Sequence, residues 1–339
     1  MVKAFSLLDI ALLYSLRGQG TYLDLEGVLC GFQPPLLSAL VGLLSLSEAG
    51  PSTYVLAEEV NGQPLRGFVQ GRAGGTECDV LFIAPAMPAS GGSPLAERVW
   101  RVLLEHLCVQ QGEQGVQRIF VKVRNDGSAA AETLRQLGFG AYARRHIFRL
   151  SSVPSWESLP GESLLRPRRP EDDWGLQRLY STVTPRPIQQ AEGFDRQAEG
   201  PASTALYGFG REPARAWLSE RGGEITAYFR LLPGRWGHWL KAMLHPDLRD
   251  EGIPLVRAAL NLFSEMPPRP LYCGVREYEV GLKNALIEVG FQPYADELLM
   301  VKHTTARVEV PAFELAPELE KKAKRVPTVS ESRPQARDS

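Results

Sequence analysis

Leu244-His245-Pro246, followed after Asp247-Leu248 by Arg249-Asp250-Glu251-Gly252-Ile253-Pro254, is the stretch on which the fold turns. It reads as a strand ending at a proline and a helix beginning beside a glycine. Unpaired backbone N–H groups and the positive end of a helix dipole converge at such a junction. Glycine also lets phosphates approach the backbone closely, so the junction is a good pyrophosphate cradle. The same punctuation stands earlier, where Ile83-Ala84-Pro85 ends a strand and Pro88-Ala89-Ser90-Gly91-Gly92-Ser93 leads into a helix. In both places the loop begins three residues after the strand-ending proline, and a glycine stands six after it.

Downstream of each junction the order is strand, helix, Gly-Phe, strand. Val123-Arg124 stands fifteen residues before Gly138-Phe139, and Val275-Arg276 fifteen before Gly290-Phe291; the two sets are offset by 152 (275 minus 123, 290 minus 138). Gly138 and Gly290 are natural left-handed helix stops. Upstream, strand-like runs over 54–60, 65–70 and 78–83, and again over 214–219, 224–232 and 236–244, are separated by turn pairs such as Gly74-Gly75 and Gly222-Gly223. These read as antiparallel meanders. Two copies of one unit account for the recurrence. The expected architecture is mixed α/β in two tandem domains, 1–150 and 163–310, each a central, mostly antiparallel sheet flanked by helices and splayed after its fourth strand. The segment 151–162, with Pro154 and Pro160, reads as a linker.

The composition narrows the function. Thirty-eight basic against 39 acidic residues leave a formal net charge of -1, which removes the main electrostatic argument for nucleic acid or an anionic membrane surface. Hydrophobic residues make up 44% of the chain, enough for a sizeable core. Cys30, Cys78, Cys108 and Cys273 lie far apart and form no C-x-x-C pair, so reduced thiols in a cytoplasmic chain are expected and a metal site is not. The apolar run over 36–46 is about half the roughly 20 residues that a membrane helix needs. Asp9 interrupts the apolar N-terminus, which argues against a signal peptide. Residues 311–339 carry Lys321-Lys322-Ala323-Lys324-Arg325 and few apolar side chains. They read as a solvated, disordered tail or as a basic docking tail. Arg144-Arg145 and the run 166–169 read as solvated basic faces, and oligomeric state is open.

Taken together, these motifs resemble the GCN5-related N-acetyltransferase (GNAT) superfamily. That family ends its fourth strand with Val-x-Pro, continues with (Arg/Gln)-x-x-Gly-x-(Gly/Ala), and closes with strand, helix, Gly-Phe, strand. The resemblance covers roughly 1–150 and 163–305, as a tandem pair degenerate in its first copy. In the second copy Arg249 and Gly252 match, and Pro254 replaces the last small residue. In the first, Gly91 matches, Pro88 replaces the Arg/Gln, and Ser93 replaces the last glycine.

The resemblance implies acetyl-CoA, or another acyl-CoA, as co-substrate, held mainly by Leu244, His245, Arg249, Asp250, Glu251, Gly252 and Ile253. The acceptor implied is an amine on a small molecule or peptide, with no metal. The family often places a proton-donating tyrosine four residues before the glycine of Gly-Phe; Leu134 and Leu286 stand there. A base is carried in some members six residues before the valine of Val-x-Pro, at Glu77 and His238 here. Histidine suits that role, with an ordinary pKa of about 6.5, although His238 also reads as a strand residue packed between Trp236 and Trp239. Tyr294 is the substitute acid. Three readings follow: an acyl-CoA-dependent N-acyltransferase, a non-catalytic tandem module binding acyl-CoA or a protein partner, and an aminoacyl or peptidyl transferase.

Overall fold

The computed structural model describes residues 1–31, 34–44, 51–60, 62–88, 93–125, 129–153, 164–192, 214–263 and 266–304. The expected tail, 311–339, lies outside them. The strands of the first half are β1 (Val2–Ala4), β2 (Thr21–Tyr22), β3 (Pro51–Val60), β4 (Gln63–Gly74), β5 (Glu77–Ala84), β6 (Arg118–Arg124) and β7 (Gly140–Leu150). Those of the second are β8 (Arg166–Pro167), β9 (Arg215–Arg221), β10 (Glu224–Leu232), β11 (His238–Leu244), β12 (Leu271–Arg276) and β13 (Gln292–His303). All belong to one twisted sheet of mixed α/β type, in the order β1-β3-β4-β5-β6-β13-β7-β12-β11-β10-β9-β8, with β2 beside β5.

Side chains alternate across the sheet as strand geometry requires. Leu240, Ala242 and Leu244 of β11 join one core with Val256 and Leu286, whereas Trp239 and Met243 face the opposite layer. The first face carries α4 (Pro94–Glu113) and α5 (Ala130–Gln136) over one half, and α8 (Gly252–Leu262) and α9 (Val280–Glu288) over the other. The second face carries α1 (Ile10–Leu16), α2 (Leu25–Cys30), α3 (Pro35–Leu44), α6 (Asp173–Val183) and α7 (Arg186–Glu192). Gly138 and Gly290 take φ of 86° and 99°, which is why glycine ends both α5 and α9.

Two features of the sheet position the site. The first is a pair of splays. Among the described residues, parallel pairing occurs only between β5 and β6, over Glu77–Asp79 with Arg118–Phe120, and between β11 and β12, over His238–Leu240 with Leu271–Cys273. Beyond these short ladders each pair of strands parts. The second is an exchange between halves. The final strand β13 lies between β6 and β7, and β7 pairs with β12. Each half therefore completes its sheet with the other half's last strand, which the linear pattern of strands and helices does not disclose.

Candidate functional site

Among the described residues, the second splay is open along its wall. The N–H of His238 donates to the Pro270 carbonyl on the β12 side at 2.8 Å, and that of His245 donates to Thr226 on the β10 side at 2.8 Å. Register between β10 and β11 is unbroken from Trp239 to Leu244, so N–H groups alternate sides along it. Those of Ala242 and Leu244 consequently face the gap, past the last pair with β12 at Leu240 and Cys273. Beside this gap α8 starts at Gly252, and its N-cap residue Glu251 makes no side-chain capping bond. The Glu251 carboxylate turns instead to Arg221, at 2.9 and 3.0 Å. An added Cβ at Gly252 would stand 3.0 Å from Leu244 Cδ1, a tight contact that this side-chain end would have to yield to. His245 Nδ1 accepts from the Asp247 N–H at 3.3 Å. Of Arg249 and Asp250 only the backbone, in a short 3₁₀ turn, is described.

The first splay is filled by its own chain. Thr21 and Tyr22 of β2 pair with Ile83 and Phe82, while β4 occupies the other edge of β5. The Leu23 N–H donates to the Leu81 carbonyl, and the Ala86 N–H to that of Gln19. Gly20 makes this close approach feasible, since a Cβ there would fall 2.0 Å from the Phe82 ring. The helix after this junction is also self-capped: Ser93 Oγ accepts from the Ala96 N–H at 3.4 Å, with Pro94 in the first turn. Gly91 lies outside the described residues.

The two proton-transfer candidates sit at the closed end of the β11–β12 pair. His238 is buried, its Nδ1 accepting from the Gly234 N–H at 3.3 Å and its Nε2 lying 3.1 Å from the Pro267 carbonyl. These partners fit the neutral tautomer with the proton on Nε2. His238 and Leu244 share a face of β11, about 20 Å apart along a strand. Tyr294 is 41% exposed and packs edge-on against Tyr272, at 5.3 Å between ring centres. Glu77 pairs with Arg118 at 2.8 Å. Leu134 and Leu286 are fully buried core residues.

A polar pocket of about 70 Å³ lies on the other face of the open splay. Lys241 of β11 and Arg276 of β12 contribute to its walls, with Lys122, Tyr142 and Arg145 from the first half. Glu26 of α2 and Glu192 of α7 line it from the helical layer. Lys122 pairs with Asp24 at 3.2 Å, and Arg145 with Glu297 at 2.8 and 2.5 Å. Arg276 Nη2 and Tyr142 OH both donate to Glu192 Oε1, at 2.6 and 2.7 Å. Burial pulls the Lys241 ammonium down to about 8, Glu26 opposing and Arg230, Lys122 and Arg145 adding to the shift. Burial likewise pushes the Glu279 carboxyl up to about 7, although it accepts the Arg276 N–H at 2.7 Å. Arg145 is thus not part of a solvated face: its side chain is 9% exposed, while that of Arg144 is 59% exposed. The sequence signal for this pocket is a lysine at 241 amid the apolar strand residues 239–244; its partners come from distant segments.

No helix among the described residues is long and apolar enough to cross a membrane, and no group of side chains among them could hold a metal ion. No family model matches the sequence, and no curated protein does. Solved structures do match. A GCN5-related N-acetyltransferase from Sphaerobacter thermophilus is similar with 12% identity and a TM-score of 0.52, over 90% of this chain and 95% of that one. A tandem GNAT protein from the clavulanic acid biosynthesis pathway is similar with 13% identity and a TM-score of 0.50, over 90% and 98% of the two chains. At such identities the likeness is one of fold, and it agrees with the paired splays and glycine-stopped helices: the chain has the GNAT fold, built twice in tandem.

Proposed function

We propose that this protein is an acyl-CoA-dependent N-acyltransferase that binds its acyl-CoA in the second copy. The observation that carries the proposal is the contrast between splays, one open beside a helix start without a side-chain cap and one filled by β2. Acyl-CoA would supply the activated acyl group. The residues of this chain would do the rest. The loop from Arg249 to Ile253 and the first turn of α8 hold the pyrophosphate through backbone donors and the helix dipole; Pro254 has no N–H to add. Leu244, with Ala242 behind it, offers an N–H to the thioester oxygen as negative charge develops there. Attack by an amine on a thioester then depends mostly on positioning, which accommodates leucine at 134 and 286. His238 and Tyr294 stand at the closed end of the β11–β12 pair, His238 about 20 Å along the strand from Leu244, so in this scheme the amine's proton passes to water and CoA leaves as the thiolate.

Calorimetry with acetyl-CoA and longer acyl-CoAs tests the binding step. Binding of none would remove the proposal. The buried leucines at 134 and 286 favour a second reading, a non-catalytic tandem module that binds acyl-CoA or a protein partner. Release of free thiol on addition of amines separates the two. An aminoacyl or peptidyl transferase would instead show no acyl-CoA binding and would consume an activated amino acid.

A further inference from the structure

The pocket beneath the open splay has a charge pattern that the acyl-CoA site does not use. Four cations line it, Lys122, Arg145, Lys241 and Arg276, with two carboxylates, Glu26 and Glu192; Asp24 and Glu297 pair with Lys122 and Arg145 from outside the lining, so the charges balance only over the wider cluster. Within it the pairing is uneven. Lys122 and Arg145 are matched by Asp24 and Glu297. Arg276 spends Nη2 on Glu192, but its Nη1 is buried with no hydrogen-bond partner among the described residues. Lys241 has no carboxylate within ion-pair distance among them, although Glu26 acts on it from further away. A buried guanidinium N–H without an acceptor costs free energy unless something binds there.

These two donors stand on opposite walls of the splay, Lys241 on β11 one residue past the three-residue ladder and Arg276 on β12 three residues past it. Lys241 precedes Ala242, whose N–H faces the gap. Glu26 stands across the pocket, 3.7 Å from Arg145 Nη1. Charges that are separated but balance over the wider cluster suit a zwitterion and disfavour a dianion such as phosphate. Its volume, about 70 Å³ against roughly 30 Å³ for one water in the liquid, admits a group of a few heavy atoms.

We propose that this pocket holds the backbone end of an α-amino-acid acceptor, its carboxylate on Lys241 Nζ and Arg276 Nη1 and its amino group toward Glu26 and the Ala242–Leu244 edge. The proposal rests on the acyltransferase reading and narrows it: the acceptor is an amine that carries a neighbouring carboxylate. The carboxylate, not the amine's side chain, is what the site selects.

The test uses thermal shift on the full chain with the twenty free α-amino acids and, as matched probes, their decarboxylated amines. At least one amino acid should stabilise the wild type, its decarboxylated counterpart should not, and the difference should vanish in Lys241→Met and persist in Lys241→Arg. Equal stabilisation by an amine lacking the carboxylate, discrimination retained in Lys241→Met, or no shift with any of the twenty would overturn the proposal. A parallel arm with acetyl-CoA on wild type and Gly252→Asp reports on the acyltransferase reading alone. Adding succinyl-CoA as a probe separates the remaining source of carboxylate: stabilisation by its free acid end, dependent on Lys241, in place of any amino acid would also overturn the assignment.

Discussion

Lys241 and Glu279 are held away from their ordinary protonation by burial, in opposite directions, and each makes a pH prediction. For Lys241 the folded pKa of about 8 lies below the ordinary 10.5, so the unfolded chain binds its proton more strongly between those values. Its penalty is fully present below about pH 8 and disappears as pH rises toward 10.5. Lys241→Met is therefore expected to melt higher than wild type at pH 7, with the gain shrinking across that window. Glu279 is the reverse case: its folded pKa of about 7 lies above 4.5, so stability falls as pH rises from 4.5 to 7. Glu279→Gln keeps an oxygen for the Arg276 N–H and should gain on wild type between pH 5 and pH 8, read from melting temperatures. His238→Ala is expected to leave transfer rate and acyl-CoA affinity near wild type, because the ring lies about 20 Å along β11 from Leu244. Wild-type rates in that variant from about pH 6 to about pH 9 would show that the ring serves only Gly234 and Pro267. The buried charges were hard to read in advance: Arg145 sits in a basic pair that looks like surface, and only the pairing of β7 with β13 sets it opposite Glu297.

At the scale of elements, the two junctions share spacing but differ in what neighbours them. Gly252→Asp should abolish acyl-CoA binding, because the new side chain meets Leu244 and its charge repels the pyrophosphate. Gly91→Asp should leave binding intact, and calorimetry on the pair decides which copy holds the ligand. The strand β2 supplies a complementary test. Gly20→Ala puts a methyl into the Phe82 ring and should destabilise the first half by a few kcal/mol, as overpacking does. The junctions, turns and glycine stops were legible because each follows from local backbone requirements. The plugging of one splay was not, since a two-residue strand at 21–22 has no periodicity to announce it.

For the whole molecule, the exchange of β7 and β13 makes each half dependent on the other. Arg145 and Glu297 are cross-strand partners and are also equivalent by the 152-residue repeat (297 minus 145), so they mark the pseudo-twofold centre of the sheet. Two identical charges there would repel; a duplicated chain is free to place opposite ones. Arg145→Glu alone should cost about 3–5 kcal/mol, the range for breaking a buried pair, measured by urea unfolding. Adding Glu297→Arg should recover part of that and not all, because Glu26 stays beside position 145. Residues 1–150 expressed without the rest should fail to form a stable monomer, since β6 and β7 would each present an unpaired edge.

What the sequence determined by itself was the repeating unit and its punctuation. Strand-ending prolines, loop glycines and Gly-Phe stops answer to steric and hydrogen-bonding needs that act within a few residues, and two copies of the same spacing exposed them twice. Only the tertiary structure decided which strand closes which half, which splay stays open, and which charges are buried together. Those outcomes depend on contacts between segments as far apart as Glu26, Arg145, Lys241 and Arg276, whose proximity no local pattern encodes.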